Sequence, residues 1–209
     1  MRRSTRARRV RVTVDRDGVT VVLPQRLAQS EADRAVEQFE PWIRRQLDEQ
    51  RLAAEAVAAR AGYIPWQGRL LPLIEQPGLK VAKRVGDSVL VPDGEYRPAV
   101  ERLMRREARS EITTRLDAAT AEAGVEWTAL RIGDMKTRWA SCSPVGRMSF
   151  SWRLMLAPED VLQSVIWHEV CHIEVADHSP RFWALLDQRW PSHRANRAWL
   201  TRHAAELVI

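Results

Sequence analysis

Hydrophobic and polar residues alternate near the start of the chain. The alternation covers residues 10–14, and a second β-branched run covers residues 19–23. The turn dipeptide Asp17-Gly18 lies between them. This pattern predicts a β-hairpin.

Helical signals follow the hairpin. Ser30 is a helix-capping residue before a stretch that predicts a helix toward Phe39. Pro41 suits the first turn of a helix, so we expect a second helix from there to about residue 60. Gly62 is expected to end it.

The middle of the chain contains a predicted sheet, then a predicted helix, and then two further strand-like runs. Residues 63–92 contain repeated Gly and Pro turn signals between short apolar runs, which predict a small antiparallel sheet. A long amphipathic helix is predicted from Pro98 to Gly124. Two strand-like runs follow, at residues 128–132 and 147–156.

Three helices are predicted in the last quarter of the chain. They begin at Pro158, at Ser179-Pro180 and at Pro191-Ser192, since proline is favoured in a first helical turn. The fold class is therefore α+β. The best candidate for a domain boundary is the Pro-Asp-Gly segment at residues 92–94. It divides the chain into a β-rich accessory region with two helices (1–94) and a core (95–209).

Charge and composition narrow the functional classes. The chain has 209 residues, 33 basic and 27 acidic, with a formal charge of +6. Nucleic-acid binding is one interpretation. An arginine-rich composition with acids scattered among the bases is the other, and we prefer it because no aromatic-basic array is present.

Location is predicted from what the sequence lacks. No apolar run approaches the roughly 18 residues of a membrane span. The N-terminal arginines are not followed by the apolar stretch of a secretory signal. Two cysteines, Cys142 and Cys171, cannot make a disulfide framework. We therefore expect a cytoplasmic protein without a membrane partner; the sequence leaves its oligomeric state open.

The most informative stretch is the motif H-E-x-x-H at residues 168–172. Four residues make just over one helical turn, so His168 and His172 project from one face and can bind one metal ion, usually zinc. Glu169 lies one step around the helix. There it can act as the general base for a metal-activated water.

A catalytic zinc site needs a third protein ligand. His178, just before a predicted helix start, is the favoured candidate. Glu174, Asp177 and His193 are alternatives. Otherwise we expect His193 and His203 at the surface, and Trp183 in the core.

The three histidines have the metzincin spacing, but Val175 stands where that motif has glycine. Valine resists a positive φ. The turn after the helix is therefore expected to be built in another way.

Two cations precede a tryptophan between the predicted strands. Lys136 and Arg138 could hold a substrate carboxylate or phosphate, and arginine could do so with two parallel hydrogen bonds. An ordinary surface role is equally compatible with the sequence.

The chain resembles the YgjP-like metal-dependent hydrolases, a bacterial group related to the SprT and WLM zinc peptidases. The motifs that carry the resemblance are RARRV (6–10), KTRWASCS (136–143), SWRLMLAP (151–158), HEVCH (168–172) and HSPRFW (178–183). They extend over about residues 6–200. The family usually has glycine at position 140, asparagine at position 151 and the motif H-E-L-A-H, so Ala140 and Ser151 put the fit of the substrate in question.

The resemblance implies a zincin-like core: a motif helix, a small antiparallel sheet with an edge strand over the cleft, and flanking helices. It implies Zn²⁺ bound by His168, His172 and His178, with Glu169 as base. The expected function is a zinc-dependent, metallopeptidase-like hydrolase acting on peptides or proteins. A nucleotide phosphoanhydride hydrolase and a zinc-stabilised nucleic-acid-binding module are the alternatives.

Overall fold

The computed structural model describes residues 1–15, 18–135 and 137–209. Contacts divide the chain into two compact units, Met1–Ala59 and Arg60–Ile209. The sequence predicted a domain boundary further along the chain, at residues 92–94. The difference arises because Ile64, Leu71 and Val89 are buried in the same hydrophobic core as the helices that follow them.

The first unit contains three strands and one helix within its described residues. They are β1 (Arg2–Ser4), β2 (Arg11–Asp15), β3 (Gly18–Pro24) and α1 (Gln29–Ala59). The strand order is β1-β3-β2, with β2 antiparallel and β1 parallel to β3. The predicted hairpin is confirmed, although Asp17 of its turn lies outside the described residues.

The helix α1 corrects one prediction, since it is a single helix that continues through Pro41. Proline removes one backbone N–H, which leaves the carbonyl of Glu37 without its helical partner. Glu37 is exposed, so water can satisfy that carbonyl. A proline at the solvent side therefore does not end the helix here.

The second unit is mixed α and β, as predicted. Its described strands are β4 (Tyr63–Trp66), β5 (Arg69–Glu75), β6 (Lys83–Val85), β7 (Ser88–Val91), β8 (Ala129–Gly133), β9 (Ala140–Cys142) and β10 (Arg147–Ser151). Its α-helices are α2 (Arg97–Ala123), α3 (Glu159–Glu174), α4 (Pro180–Arg189) and α5 (His193–His203). In the described ranges, no helix is both long and apolar enough to cross a bilayer.

Both sheets of the second unit are mixed rather than antiparallel. In the sheet β4-β5-β7-β6, strands β5 and β7 are parallel. In the sheet β8-β10-β9, β10 runs parallel to β8 and antiparallel to β9. The prediction of antiparallel sheets was wrong on this point, because alternation of side chains carries no information about the direction of the neighbouring strand.

The buried side of α3 fixes the orientation of that helix. Leu162, Ile166 and Val170 are four residues apart and fully buried, so they form one continuous stripe against the core. The core includes the equally buried Leu103 and Ile112 of α2. Because α3 cannot rotate without exposing this stripe, the direction of its remaining side chains is set by packing.

We expect the turn before β10 to tolerate substitution poorly. Gly146 has φ 69°, and a Cβ there would lie 3.1 Å from the Glu126 carbonyl oxygen. Gly86 has a similar φ of 58° but no atom within 4 Å of such a Cβ. Gly86→Ala should cost about 1–2 kcal/mol of unfolding free energy through φ strain alone. Gly146→Ala should cost roughly 1–3 kcal/mol more through crowding. Urea unfolding of both variants measures the difference, and equal losses would contradict the crowding.

Candidate metal centre

Two histidines lie one turn apart on α3. The helix follows Pro158 and has Glu159 and Asp160 in its first turn, where negative charge favours the helix. The rings of His168 and His172 have centroids 4.9 Å apart. The four-residue spacing thus brings them together on one face, as the sequence predicted.

The third histidine comes from the connection between α3 and α4. Val175 ends the helix in an extended conformation, φ −135°, so the turn is built without a positive φ, as expected for valine. The backbone N–H of Ser179 donates to Asp177 Oδ1 at 3.0 Å, and Pro180 then opens α4. His178 lies inside this tight connection, which returns its ring to α3.

The three rings converge on one point. Nε2 of His178 lies 3.1 Å from Nε2 of His172 and 3.1 Å from Nε2 of His168. One ligand nitrogen from each residue falls within 4.8 Å of the others. Tetrahedral zinc ligands at 2.0–2.1 Å from the metal are roughly 3.3–3.4 Å apart. The spacing of the nitrogens therefore fits a single divalent ion.

The protonation of the rings also fits a metal. Nδ1 of His172 lies 3.0 Å from the Val175 carbonyl oxygen, which can only accept. Nδ1 therefore carries the proton, and the lone pair of Nε2 faces the other two rings. Burial, with the nearby His172 and His178, lowers the pKa of His168 to about 3. Neutral imidazole is the form that binds metals.

Aromatic side chains of α4 support the rings. The fully buried Phe182 stacks on His172, with centroids 4.4 Å apart and an angle of 25°. Trp183 stacks on His178 at 5.5 Å and 29°. These contacts restrict ring rotation, so the nitrogens remain directed at one another.

Glu169 is buried beside this cluster, with 5 % of its surface exposed. The backbone N–H of Cys142 donates to its carboxylate, whereas its Oε2 has no hydrogen-bond partner among the described residues. Burial raises the pKa of Glu169 to about 7, against the opposing effects of Arg138 and of the Cys142 hydrogen bond. Oε2 itself is enclosed, but Glu169 as a residue lines the cavity beside the three rings, so its carboxyl group borders the space that a water would occupy.

The cluster opens into a cavity of about 510 Å³. Arg138 and Ala140 line it on the β9 side, Trp183 lies on α4, and His193 and Arg197 lie on α5. Glu169, His168 and His178 also line the cavity. The cavity is large enough for part of a peptide.

The other candidate residues have separate roles. Glu174 lies 3.5 Å from Arg189 in an ion pair, Asp177 caps the turn described above, and Nε2 of His193 bonds Asp187 at 2.8 Å. None of these three alternatives belongs to the group of converging nitrogens found in the described residues. Lys136 lies outside the described residues, so its predicted role is untouched by the structure.

Residues 140 and 151, where the chain differs from the usual residues of the family it resembles, lie in different surroundings. Ala140 lines the cavity. Ser151 is fully buried, and its hydroxyl accepts from the N–H of Arg153 at 3.3 Å, which caps a 3-10 helix at Trp152–Leu156. Of these two, only the alanine borders the space that a substrate would enter.

Sequence reasoning missed part of the cavity wall. His193 was expected at the surface but is only 4 % exposed, and it stacks on Trp183 at 5.8 Å. Trp183 was expected in the core; it is half-buried and packs against the core, but it also borders the cavity, which was not predicted. The i, i+4 spacing of His193 and Arg197 was a signal, but it indicates a shared face without showing what that face meets.

Comparison with known proteins identifies the family of the chain. A family model described as YgjP-like, metallopeptidase domain, matches residues 8–203, and the chain belongs to this family. Membership supports a metal-dependent hydrolase and implies a divalent metal, typically zinc.

One solved structure among those compared is "Crystal structure of the metallopeptidase zymogen of Pyrococcus abyssi abylysin". The similarity has a TM-score of 0.38 and 22% identity, and covers 44% of this chain and 93% of that one. No curated protein matches the sequence.

We expect His178→Ala to weaken zinc binding by more than about 100-fold, because even the loss of an outer partner of a ligand costs about 10–100-fold. Competition with a chromogenic chelator measures the affinity. His203→Ala is the matched control, since His203 is half-buried, bonds Glu206 and lies outside the cluster. Equal affinities of the two variants would place the third ligand elsewhere.

Proposed function

We propose that the chain is a metal-dependent peptide hydrolase with a zincin-like centre, in which His168, His172 and His178 hold the ion and Glu169 is the general base. One observation carries the proposal: three ring nitrogens converge, and the buried carboxyl group of Glu169 lines the same cavity as His168 and His178. A structural metal site has no need of that carboxylate.

A zinc ion held by the three rings would polarise the carbonyl group of a substrate and make a bound water more acidic. Glu169 would accept the proton of the attacking water and then donate it to the leaving amine. The N–H of Cys142 favours the charged form of this carboxylate. Arg138 lies close enough to favour the charged form of Glu169.

The strand β9 offers a place for an extended substrate. It is an edge strand, since the order of its sheet is β8-β10-β9. The N–H of Ser143 donates to the Arg147 carbonyl, and that of Ser151 to the Trp139 carbonyl. Backbone groups alternate in direction along an antiparallel strand, so those of residues 140 and 142 face the free edge.

The bond from Cys142 to Glu169 agrees with that alternation. Ala140, two residues earlier, directs its backbone groups the same way and lines the cavity. A peptide could therefore pair with β9 as an added strand and bring its carbonyl group to the centre. Family membership supports a peptide or protein substrate and lends no support to the nucleotide or nucleic-acid alternatives.

We expect Glu169→Gln to keep its zinc and to lose about 10²–10⁴-fold of kcat, the usual contribution of a general base. Metal analysis and cleavage of casein-derived peptides measure the two effects. Glu174→Gln is the control on the same helix, because Glu174 pairs with Arg189 away from the three nitrogens.

Two results would contradict the proposal. Full turnover by Glu169→Gln would exclude Glu169 as the base. Hydrolysis of nucleoside triphosphates by the zinc-loaded protein, with casein peptides left intact, would favour the phosphoanhydride alternative.

A further inference from the structure

A second cavity continues from the one beside the metal centre. Its volume is about 790 Å³, and it shares Trp183, His193 and Arg197 with the first. Along α5 its wall follows positions 193, 194, 197, 198, 201 and 202, a stripe on one side of the helix. We refer to this second cavity as the α5 groove.

The α5 groove carries uncompensated positive charge. Arg194 is neutralised by Asp187, with two contacts of 2.7 Å. Arg197 and Arg202 form no ion pair with any carboxylate that the structure describes. The lining of the α5 groove contains no acidic residue, and in the first cavity the acid is Glu169, at the metal end.

Arg197 is positioned at the junction of the two cavities. Its guanidinium lies 5.8 Å from the ring centroid of Trp183. Trp183 itself stacks on His178, so the cation is one aromatic ring away from a metal-binding histidine. The aromatic contact restricts the guanidinium while its N–H donors remain free for a carboxylate.

The dimensions of the groove suit an extended peptide. Positions 193 to 202 advance about 13.5 Å along the helix axis, the length of roughly four extended residues. Arg197 and Arg202 are separated by about 7.5 Å along that axis. Five residues also rotate the helix by about 140°, so the two arginine side chains start from different sides of the groove. Both must turn into the groove to meet the acids of an E-x-E pattern, whose alternate residues are about 6.6 Å apart.

Building on the function proposed above, we propose that the α5 groove selects peptide substrates with acidic side chains on one side of the bond that is cut. Arg197 and Arg202 are the residues that determine this specificity. The partner groups are side-chain carboxylates, which accept two parallel hydrogen bonds from a guanidinium.

A set of internally quenched decapeptides tests the proposal. The peptides share one cleavable centre and carry E-x-E, Q-x-Q or K-x-K before or after it. With the zinc-loaded protein, kcat/KM should be highest for E-x-E on one side. Arg197→Gln should lower the ratio of kcat/KM for the E-x-E peptide to kcat/KM for the Q-x-Q peptide about tenfold. Arg197→Glu should reverse the preference, so that the K-x-K peptide has the highest kcat/KM.

Arg106→Gln is the matched control for charge. It removes one positive charge from an exposed position of α2, outside both cavities. The E-x-E to Q-x-Q ratio should stay at the wild-type value in this variant. A fall in the ratio as large as that of Arg197→Gln would show that overall charge, rather than the α5 groove, selects the substrate.

Binding separates a failure of this proposal from a failure of the proposed function. Anisotropy of labelled peptides on zinc-loaded Glu169→Gln reports binding without cleavage. Suppose that E-x-E peptides bind more tightly in a way that depends on Arg197, but that the unmutated protein cleaves no peptide. This result would support the proposed specificity of the α5 groove and contradict the proposed peptidase function. Equal binding and equal kcat/KM for all three patterns would contradict the proposed preference of the α5 groove for acidic peptides. Binding of ATP that depends on Arg197, with no preference among the peptides, would contradict it as well.

Discussion

The convergence of three imidazole nitrogens constrains the rest of the second unit. Rings with Nε2 atoms 3.1 Å apart cannot each carry a positive charge, and burial already lowers the pKa of His168 and His172. Such a set suits one shared cation better than separate protons. Because the ion would bind the folded arrangement and not the unfolded chain, its binding free energy would add to stability.

Several ordinary packing features hold the rings in this arrangement. The buried stripe of Leu162, Ile166 and Val170 fixes the rotation of α3, so His168 and His172 have one available direction. Phe182 provides a flat surface against His172. The arrangement therefore depends on the hydrophobic core as much as on the three histidines themselves.

Glu169 couples this helix to the neighbouring sheet. A buried carboxylate is costly unless it is hydrogen-bonded or paired. Here the N–H of Cys142 and the charge of Arg138 offset part of that cost. Both residues belong to the segment around β9, so the strand that could receive a substrate also stabilises the acid.

The sequence predicted the parts of the site that depend on local geometry. The proximity of His168 and His172 follows from helical periodicity, and that of His178 from the short connection before Ser179-Pro180. The mixed sheets, the continuation of α1 through Pro41 and the burial of His193 were not predicted. Each depends on partners distant in sequence or on solvent exposure, which local patterns do not encode.

The hydrogen bond from His172 to the Val175 carbonyl has a consequence for sequence variation. The acceptor is a main-chain oxygen, so almost any amino acid at position 175 supplies it. The orientation of the His172 ring is thus set by the backbone conformation at position 175 rather than by the side chain at that position. Sequences can diverge at this position while the geometry persists, provided that the new residue accepts an extended backbone.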